Sequence, residues 1–249
     1  MTDDGAPPAA SVTVTELHSV AIASMASSDR IPSRPTVPRG RHAPPLEVRL
    51  AKQRERLFEA AASVFVSTGY ADASAESISR AAGMSKATFY EHFANKEECI
   101  LALFDAAYQV LLSRILGAVA KAGDDPVGRM REGMREFLVV IDEYPNEAQT
   151  LLVEIIGAGP AAMRRRDEIV ASFAQVLFSE NAEHVQEGVM PRFVDPLDAF
   201  AIVGAIAELV SRQLRLGEPA HSADLQPVIE RFAFGLLGLE PPALPASGA

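Results

Sequence analysis

From Leu46 onward, apolar residues recur at spacings of three and four, and glycine or proline interrupts the pattern at intervals. This period is typical of one face of an α-helix, and no segment shows the convincing alternation of a β-strand. We therefore predict an all-α fold. The predicted helices span 48–68, 75–82, 85–93, 96–121, 127–143, 146–157, 161–186, 196–216 and 223–238.

The segment before Leu46 has a different composition. Residues 1–45 contain seven of the 17 prolines and show no lasting period, so we predict a disordered N-terminal extension. Its basic part, residues 30–41, is either an arm that lies along DNA or a solvated tail. Met25 is an alternative start of the chain, and residues 241–249 are expected to form a flexible tail.

The net charge of −10 conceals an uneven distribution of charge. Residues 30–96 carry 11 Lys and Arg against 6 Asp and Glu, whereas residues 97–249 carry 12 against 23. The acidic total argues against a protein that coats nucleic acid indiscriminately. The positive charge is concentrated around one short stretch, residues 83–98.

Other features of the whole chain indicate the cellular compartment in which the protein is expected. The N-terminus lacks a basic region, and Glu16 and His18 interrupt its apolar run, so we expect no secretory signal. The longest run of small apolar residues, 199–207, is far shorter than the ~20 residues that span a bilayer. We expect a cytoplasmic protein without a membrane-spanning helix. Cys99, which lacks an internal disulfide partner, is either a small buried hydrophobe or a redox-sensitive thiol.

Residues 83–98 read GMSKATFYEHFANKEE and contain two phenylalanines four residues apart. At about 100° per residue, Phe89 and Phe93 lie on one face of a helix, and small and polar residues occupy the opposite arc. The rings would hold this helix by its apolar side. Its other side is then free to enter a major groove of DNA.

A shorter helix is predicted immediately upstream. Ser74 can cap its N-terminus, and Ile78, Ala81 and Ala82 are expected to point inward. Gly83 supplies a tight turn between two closely packed helices. Together these features indicate a helix-turn-helix.

The segment SAESISRAAGMSKATFYEHFANKEECI resembles the DNA-binding domain of the TetR/AcrR family of transcriptional regulators. A first helix of the expected form, RLFEAAASVFVSTGY, precedes it, and the resemblance covers about residues 50–110. Ser79 and Met84 depart mildly from the family pattern, and Ser77 leaves the capping box without its acid. The matching positions are Ser74, Ile78, Ala82, Gly83, Met84, Ser85, Phe89, Tyr90, Phe93, Lys96 and Glu97; along the first helix, Leu57, Ala61, Phe65 and Thr68 are expected to line one side.

The resemblance implies that the second helix of the motif reads DNA. Residues 86–88 then face base edges, where a lysine can donate to guanine and methyl groups can contact thymine. Hydroxyl, imidazole and ammonium groups nearby suit phosphate oxygens. The implied DNA-binding residues are Ser74, Ser85, Lys86, Ala87, Thr88, Tyr90, His92 and Lys96.

Several of these assignments have a structural alternative. Ala87 and Thr88 are otherwise plain surface residues, and Tyr90 is otherwise a half-buried packing residue. His92 is otherwise a helix-end residue without a DNA contact.

Residues 96–240 resemble the divergent C-terminal region of the family, which implies inducer binding and dimerisation through the last two helices. We therefore divide the chain into an extension at 1–45, a DNA-binding domain at 46–95 and a ligand-binding and dimerisation domain at 96–240. The apolar faces of the last two helices suit either a four-helix dimer interface or an intramolecular core. They contain Phe200, Val203, Ile206, Val210, Leu214, Ile229, Phe232, Leu236 and Leu237.

Apolar and aromatic residues of the central helices are candidate walls for a small apolar inducer, or else ordinary core. The run 164–166 of three arginines either pairs with an acidic ligand group or forms a solvated helix turn. We expect no metal or other cofactor, because His184, His221 and the acids lack ligand spacing. The candidate ligand-binding residues are Phe104, Tyr108, Phe137, Ile141, Leu152, Ile156, Phe173 and Leu177.

These features leave two DNA-binding interpretations. The first is a homodimeric repressor that binds a palindromic operator in double-stranded DNA and is released by a small apolar ligand. The second is an activator or architectural protein of the same fold without an inducer. Nucleophile-elbow, phosphate-loop, zinc and dinucleotide motifs are missing from the sequence, so we expect no enzymatic activity.

Overall fold

The computed structural model describes residues 45–186 and 188–239, and these residues contain nine α-helices and no strand. The prediction of an all-α fold is confirmed. The predicted extension, apart from Pro45, and the predicted tail lie outside the described residues. The helices are α1 (Leu46–Asp72), α2 (Ala75–Ala81), α3 (Lys86–His92), α4 (Lys96–Lys121), α5 (Pro126–Glu143), α6 (Pro145–Leu152), α7 (Pro160–Gln186), α8 (Pro196–Leu216) and α9 (Gln226–Leu236).

Two of the predicted helices are each divided in the structure. The predicted helix at 146–157 consists of α6 and a 3₁₀ segment, Glu154–Ala158. The predicted helix at 223–238 consists of a 3₁₀ turn, Ser222–Leu225, followed by α9. Pro227 explains the second division, because proline has no N–H to donate and fits only the first turn of an α-helix.

The regular helical backbone of α1 ends at Gly69, as the sequence predicted. Gly69 has φ of 77°, and the chain kinks there before a last turn that reaches Asp72. Leu57, Ala61 and Phe65 are fully buried on one side of α1. The expectation for Thr68 is wrong: its side chain is exposed, and its hydroxyl donates to the Val64 carbonyl oxygen at 2.8 Å.

The inward face of α2 also differs in one residue from the prediction. Ile78 and Ala82 are buried, but Ala81 is exposed and Ser79 is buried in its place. α2 packs against both α1 and α3, so the covered arc extends around the helix to Ser79. The Ser79 hydroxyl donates to the Ala75 carbonyl oxygen at 2.6 Å, which satisfies a polar group inside the core.

The buried apolar side chains form two clusters. The first contains the core of α1–α3 and continues through Ile100 of α4 to Ile155, Ala158 and Ala162. The second lies between α5, α7, α8 and α9 around Leu138, Ile202 and Ile229. The predicted domain boundary at residue 96 stays a prediction, and the first cluster extends across it.

α4 is long and apolar enough to cross a membrane by length and composition alone, the one such helix among residues 45–186 and 188–239. The helix itself was predicted at 96–121, but its length as a candidate span was not, because single polar residues interrupt its apolar runs. A core helix meets the same criterion, and α4 packs against α5, α7 and α1. α4 is therefore weak evidence for a membrane association.

Candidate DNA-binding surface and ligand-binding region

α3 is held by two buried rings, as the sequence predicted. Phe89 and Phe93 are 0% and 1% exposed, and their ring centroids are 5.5 Å apart. The ring of Phe58 from α1 lies 5.6 Å from that of Phe93. Gly83 makes the turn before α3 with φ of 64°, a conformation that glycine adopts without strain. The helix-turn-helix predicted from residues 74–93 is confirmed.

The opposite side of α3 faces solvent. Lys86, Ala87 and Tyr90 are exposed, and Thr88 is partly buried. The Lys86 ammonium lies 6.0 Å from the centroid of the Tyr90 ring. Tyr90 is 51% exposed, which argues against the alternative of a packing residue and leaves its hydroxyl accessible. DNA contacts by these residues stay a prediction.

Two serines of the predicted set cap helices. Ser85 begins α3: its hydroxyl oxygen accepts from the Thr88 N–H at 3.0 Å and lies 2.9 Å from the Thr88 hydroxyl. Ser74 begins α2, as predicted, and accepts from the Ser77 N–H at 3.1 Å. The capping box is complete, contrary to expectation, because the Ser77 hydroxyl accepts from the Ser74 N–H at 2.9 Å in place of an acid.

His92 lies at the end of α3 beside α1. Its Nε2 atom is 3.4 Å from Oε1 of Gln53. Burial lowers the pKa of His92, and the nearby Arg54 guanidinium lowers it further. The imidazole is therefore neutral at pH 7, and a phosphate contact by His92 would be a hydrogen bond rather than an ion pair.

Lys96 has a role that the sequence did not indicate. Its ammonium donates to the carbonyl oxygens of Tyr70, Ala71 and Ala73 at 2.7, 2.8 and 3.0 Å. These three bonds use all three of its protons and link the start of α4 to the end of α1. The phosphate contact proposed for Lys96 stays a prediction, and it requires that at least one of these bonds is exchanged.

Basic residues of α1 extend the positive surface beside the motif. Arg49 and Lys52 are exposed in the first turns of α1. The Arg54 guanidinium lies 5.1 Å from the centroid of the Phe93 ring, and Arg56 donates to the Ala82 carbonyl oxygen at 2.6 Å. The excess of Lys and Arg in residues 30–96 was a signal for these side chains, but the sequence pattern alone did not indicate a role for them.

The apolar face predicted for dimerisation divides into an inner and an outer part. Val210, Ile229 and Leu237 are buried within the protomer, so they fit the alternative of an intramolecular core. They lie on the sides of α8 and α9 that pack against α5 and α6. Phe200 and Phe232 are 43% and 41% exposed.

Four further residues lie on the outer part. Leu197 and Val228 are 69% and 40% exposed. Gly204 and Gly235 lie beside open space, because a Cβ atom added to either glycine would meet no atom within 4 Å. Helical spacing places three of the six residues on one side of α8 and three on one side of α9. We name the whole set the α8–α9 face: Leu197, Phe200, Gly204, Val228, Phe232 and Gly235.

The candidate ligand-binding residues fall into two groups. Phe104, Tyr108 and Phe173 lie at the first cluster, where the rings of Tyr108 and Phe173 meet edge to face at 5.2 Å. Phe137, Ile141, Leu152 and Leu177 belong to the second cluster. Apart from Phe104 and Ile141, these residues are only partly buried. Contact with a ligand stays a prediction for both groups.

Ile156 does not belong with either group. It is 58% exposed, whereas its neighbour Ile155 is fully buried. With three residues per turn, the 3₁₀ segment directs Ile155 and Ala158 inward and Ile156 outward. Ile156 therefore lies apart from both groups, and its contact with a ligand stays a prediction.

The three consecutive arginines have different surroundings. Arg164 is exposed. Arg165 bonds Asp105 of α4 at 2.6 Å and Glu168 at 2.9 Å. The Nε atom of Arg166 is buried and has no hydrogen-bond partner. A uniformly solvated helix turn therefore does not describe this run.

Cys99 is fully buried, and burial raises the pKa of its thiol to about 12. The thiol is protonated at neutral pH, so it fits the alternative of a small buried hydrophobe. Residues 45–186 and 188–239 contain no group of three or more His, Cys, Asp and Glu arranged to hold a metal ion.

Comparison with known proteins agrees with this architecture. Residues 57–103 match the family described as bacterial regulatory proteins, tetR family. Across 223 residues the chain is 28% identical to the transcriptional regulator TcmR of Streptomyces glaucescens, covering 84% of this chain and 92% of TcmR. Across 103 residues it is 32% identical to the transcriptional activator FasR of Mycolicibacterium smegmatis, covering 41% of this chain and 46% of FasR.

A solved structure extends the agreement to the whole fold. The regulator FadR of Bacillus subtilis, in complex with stearoyl-CoA, superposes with a TM-score of 0.65 at 17% identity. The match covers 75% of this chain and 99% of FadR. The helix-turn-helix, the helical C-terminal part and the sequence similarity together make this chain similar to DNA-binding transcriptional regulators of the tetR family rather than to enzymes.

Proposed function

We propose that this protein is a homodimeric repressor that binds a palindromic operator and is released from it by a small ligand. The main support for this proposal is the way α3 is held: its apolar side is anchored through Phe89 and Phe93, and its polar side is exposed. A helix held in this way can enter a major groove without losing its position on the protein.

Base reading is assigned to the first turn of α3. Lys86 and Ala87 are exposed there, and Thr88 follows on the same turn. A lysine can donate to O6 or N7 of guanine, and methyl groups can contact thymine. These contacts would set the operator sequence.

Phosphate binding is assigned to residues around α3. The exposed Tyr90 hydroxyl can donate to a phosphate oxygen, and Arg49 and Lys52 add positive charge on α1. Ser74, Ser85, His92 and Lys96 remain candidates through hydroxyl, imidazole or ammonium protons. Such contacts strengthen binding to all sequences and weaken as salt rises.

Dimerisation is assigned to the α8–α9 face. Four partly exposed apolar side chains and two glycines on adjoining helices suit a close contact between helices of two copies. A two-fold axis at this face would present two copies of α3 to successive major grooves, about 34–36 Å apart or at a multiple of one turn. The operator would then be palindromic.

Ligand release is assigned to the apolar surfaces of α4, α5 and α7. Tyr108, Phe137, Phe173 and Leu177 are partly rather than fully buried, as walls of a binding region would be. The structural similarity to the FadR of B. subtilis, solved in complex with stearoyl-CoA, supports a regulator that responds to a ligand. A ligand that lowers operator affinity tenfold must favour the released conformation by about 1.4 kcal/mol.

An activator without an inducer remains the second candidate. The similarity to the activator FasR favours it, although that match covers only 41% of this chain. In either case we expect the protein to act in the cytoplasm, where bacterial DNA lies. A promoter–reporter strain with and without the gene distinguishes the two, because deletion of a repressor raises expression and deletion of an activator lowers it.

The operator can be found by capture of genomic fragments with the purified full chain, followed by sequencing. Fluorescence anisotropy then measures affinity for the captured site and for random DNA, and light scattering measures the mass of the free protein and the complex. We expect a palindrome, a dimer and a clear preference for the captured site. A strictly monomeric chain with and without the operator would contradict the dimeric model.

A further inference from the structure

Arg166 differs from the arginines beside it. It lies on α7, and its side chain is 24% exposed. Its Nε atom is buried without a hydrogen-bond partner, and its nearest carboxylate, Asp167, is 3.7 Å from Nη1. Asp167 is itself 68% exposed. Arg166 therefore has a charged group that is partly removed from water and incompletely paired.

The apolar stripe of α7 begins at this arginine. Helical spacing places Arg166, Ile169, Phe173 and Leu177 on one side of the helix. Ile169 is buried in the first cluster, Phe173 packs on that cluster, and Leu177 packs on the second. From Arg166 to Leu177 the helix rises roughly 16 Å, a length comparable to an extended dodecyl chain.

The neighbouring helix α4 faces this stripe. Arg165 bonds Asp105 at 2.6 Å, and Tyr108 meets Phe173 with ring centroids 5.2 Å apart. These two contacts hold α4 and α7 together beside Arg166. The carboxylate of Asp105 is already occupied by Arg165, so it does not compensate Arg166.

A buried N–H without an acceptor costs free energy, and the cost is greater for a charged group. A bound acceptor would recover it, and guanidinium groups suit carboxylate and phosphate oxygens in particular. The stripe beyond Arg166 offers apolar contacts only. The ligand chemistry that fits both features is an anionic group attached to an apolar body.

We propose that Arg166 binds the anionic group of an amphiphilic ligand whose apolar part lies along α7 toward Phe173 and Leu177. This inference rests on the proposed ligand response and specifies the chemical class of the ligand. The acceptor oxygens belong either to the carboxylate of a free acid or to the phosphates of an acyl-CoA thioester. Arg166 selects the charge, and the apolar stripe accommodates the body.

The test uses the full chain and four probes of matched composition: laurate, lauroyl-CoA, 1-dodecanol and coenzyme A alone. Calorimetry measures the dissociation constant of each. We expect at least one of the two anionic lauryl compounds to bind about tenfold more tightly than 1-dodecanol, and coenzyme A alone to bind weakly. Binding of laurate indicates a free acid, and binding of lauroyl-CoA without laurate indicates a thioester.

Arg166→Gln keeps hydrogen-bonding capacity and removes the charge. We expect Arg166→Gln to lose about tenfold in affinity for the anionic probe and to bind 1-dodecanol as before. Arg166→Lys, which restores the positive charge, should bind the anionic probe again. Arg164→Gln, on the same helix but exposed, is the matched control and should bind all probes like the wild type. Melting temperature and operator affinity check that the variants are folded.

Equal affinity of the wild type for laurate, lauroyl-CoA and 1-dodecanol overturns the proposal, as does the failure of both anions to bind. Unchanged anion binding in Arg166→Gln also overturns it. The selectivity of the wild type alone decides the matter if the variant fails to fold. The ligand-responsive function has a separate readout: if 1-dodecanol releases the protein from its operator and the anions do not, that function stands and the role of Arg166 fails.

Discussion

The Lys96 ammonium donates to the Tyr70 carbonyl oxygen at 2.7 Å and lies 4.6 Å from the centroid of the Tyr70 ring. The N–H of Tyr70 in turn donates to Oε2 of Glu154 at 3.3 Å. The end of α1 is thus held from two directions, by α4 and by the 3₁₀ segment that precedes α7. Tyr70 is therefore in direct contact with both elements and joins them to the end of α1.

Lys96→Met should lower the free energy of unfolding by about 1–3 kcal/mol. It retains most of the apolar stem and leaves three carbonyl groups at the end of α1 without their charged donor. Urea denaturation measures the change. Lys121→Met, at the exposed end of the same helix, is the control and should have little effect.

The same variant tests the predicted phosphate contact. If Lys96 exchanges a carbonyl for a phosphate in the complex, the slope of log affinity against log salt falls in magnitude by about 0.9 for Lys96→Met. An unchanged slope together with the loss of stability would assign Lys96 a structural role alone.

Substitutions on α3 should separate base reading from phosphate binding. We expect Lys86→Ala to change the preferred bases and to cost about 1–3 kcal/mol at the operator position that it contacts. Tyr90→Phe removes only a hydroxyl and should weaken operator and random DNA alike. Anisotropy titrations on both DNAs make the comparison. An equal loss on both DNAs for Lys86→Ala would contradict its assignment to a base.

Gly204→Arg should abolish dimerisation without unfolding the protomer. A Cβ at Gly204 meets open space, and arginine has a higher helix propensity than glycine, by up to about 1 kcal/mol. In a two-fold contact across the α8–α9 face, however, the new side chain would hold the helices apart. We expect a folded monomer by circular dichroism and light scattering, with weak operator binding.

Tyr144→Glu provides the control for this experiment. Tyr144 is 44% exposed at the junction of α5 and α6, outside the α8–α9 face. The variant should remain dimeric. Dimerisation of Gly204→Arg at the wild-type affinity would show that another surface forms the dimer.

Stability should depend on pH through His92. Burial is the main cause that lowers its pKa in the folded state, so the unfolded chain binds a proton more readily than the folded one. The contribution of His92 to stability is present above the unfolded pKa near 6.5 and is lost as pH falls. His92→Gln should therefore flatten the decline of melting temperature between about pH 7 and pH 5. His221→Gln, at an exposed site, should leave the decline unchanged.

The sequence predicted those features that depend on local spacing. Phe89 and Phe93 identify the buried side of α3 because they are one turn apart, and Gly83 marks the turn because its backbone needs a positive φ. Spacing does not give the width of a buried face. For this reason Ala81 was expected inside and Ser79 was not.

Features that depend on distant parts of the chain could not be predicted. The partners of Lys96 are carbonyl oxygens 23 to 26 residues earlier, at the end of another helix. α8 is apolar on more than one side, so its period alone did not separate Val210 in the core from Phe200 on the surface. The incomplete pairing of Arg166 likewise depends on which neighbour Asp105 contacts.

The first buried cluster has a consequence for the construction of hybrid regulators. Ile155, Ala158 and Ala162 complete the core that contains Phe65 and Phe93. A recognition module cut after residue 95 and joined to a foreign effector domain would lose these three side chains and expose the apolar surface that they cover. A transplant that keeps the core closed retains the start of α4 through Phe104 and residues 154–169 together with the helix-turn-helix, so in this chain the transferable unit is assembled from two stretches of sequence.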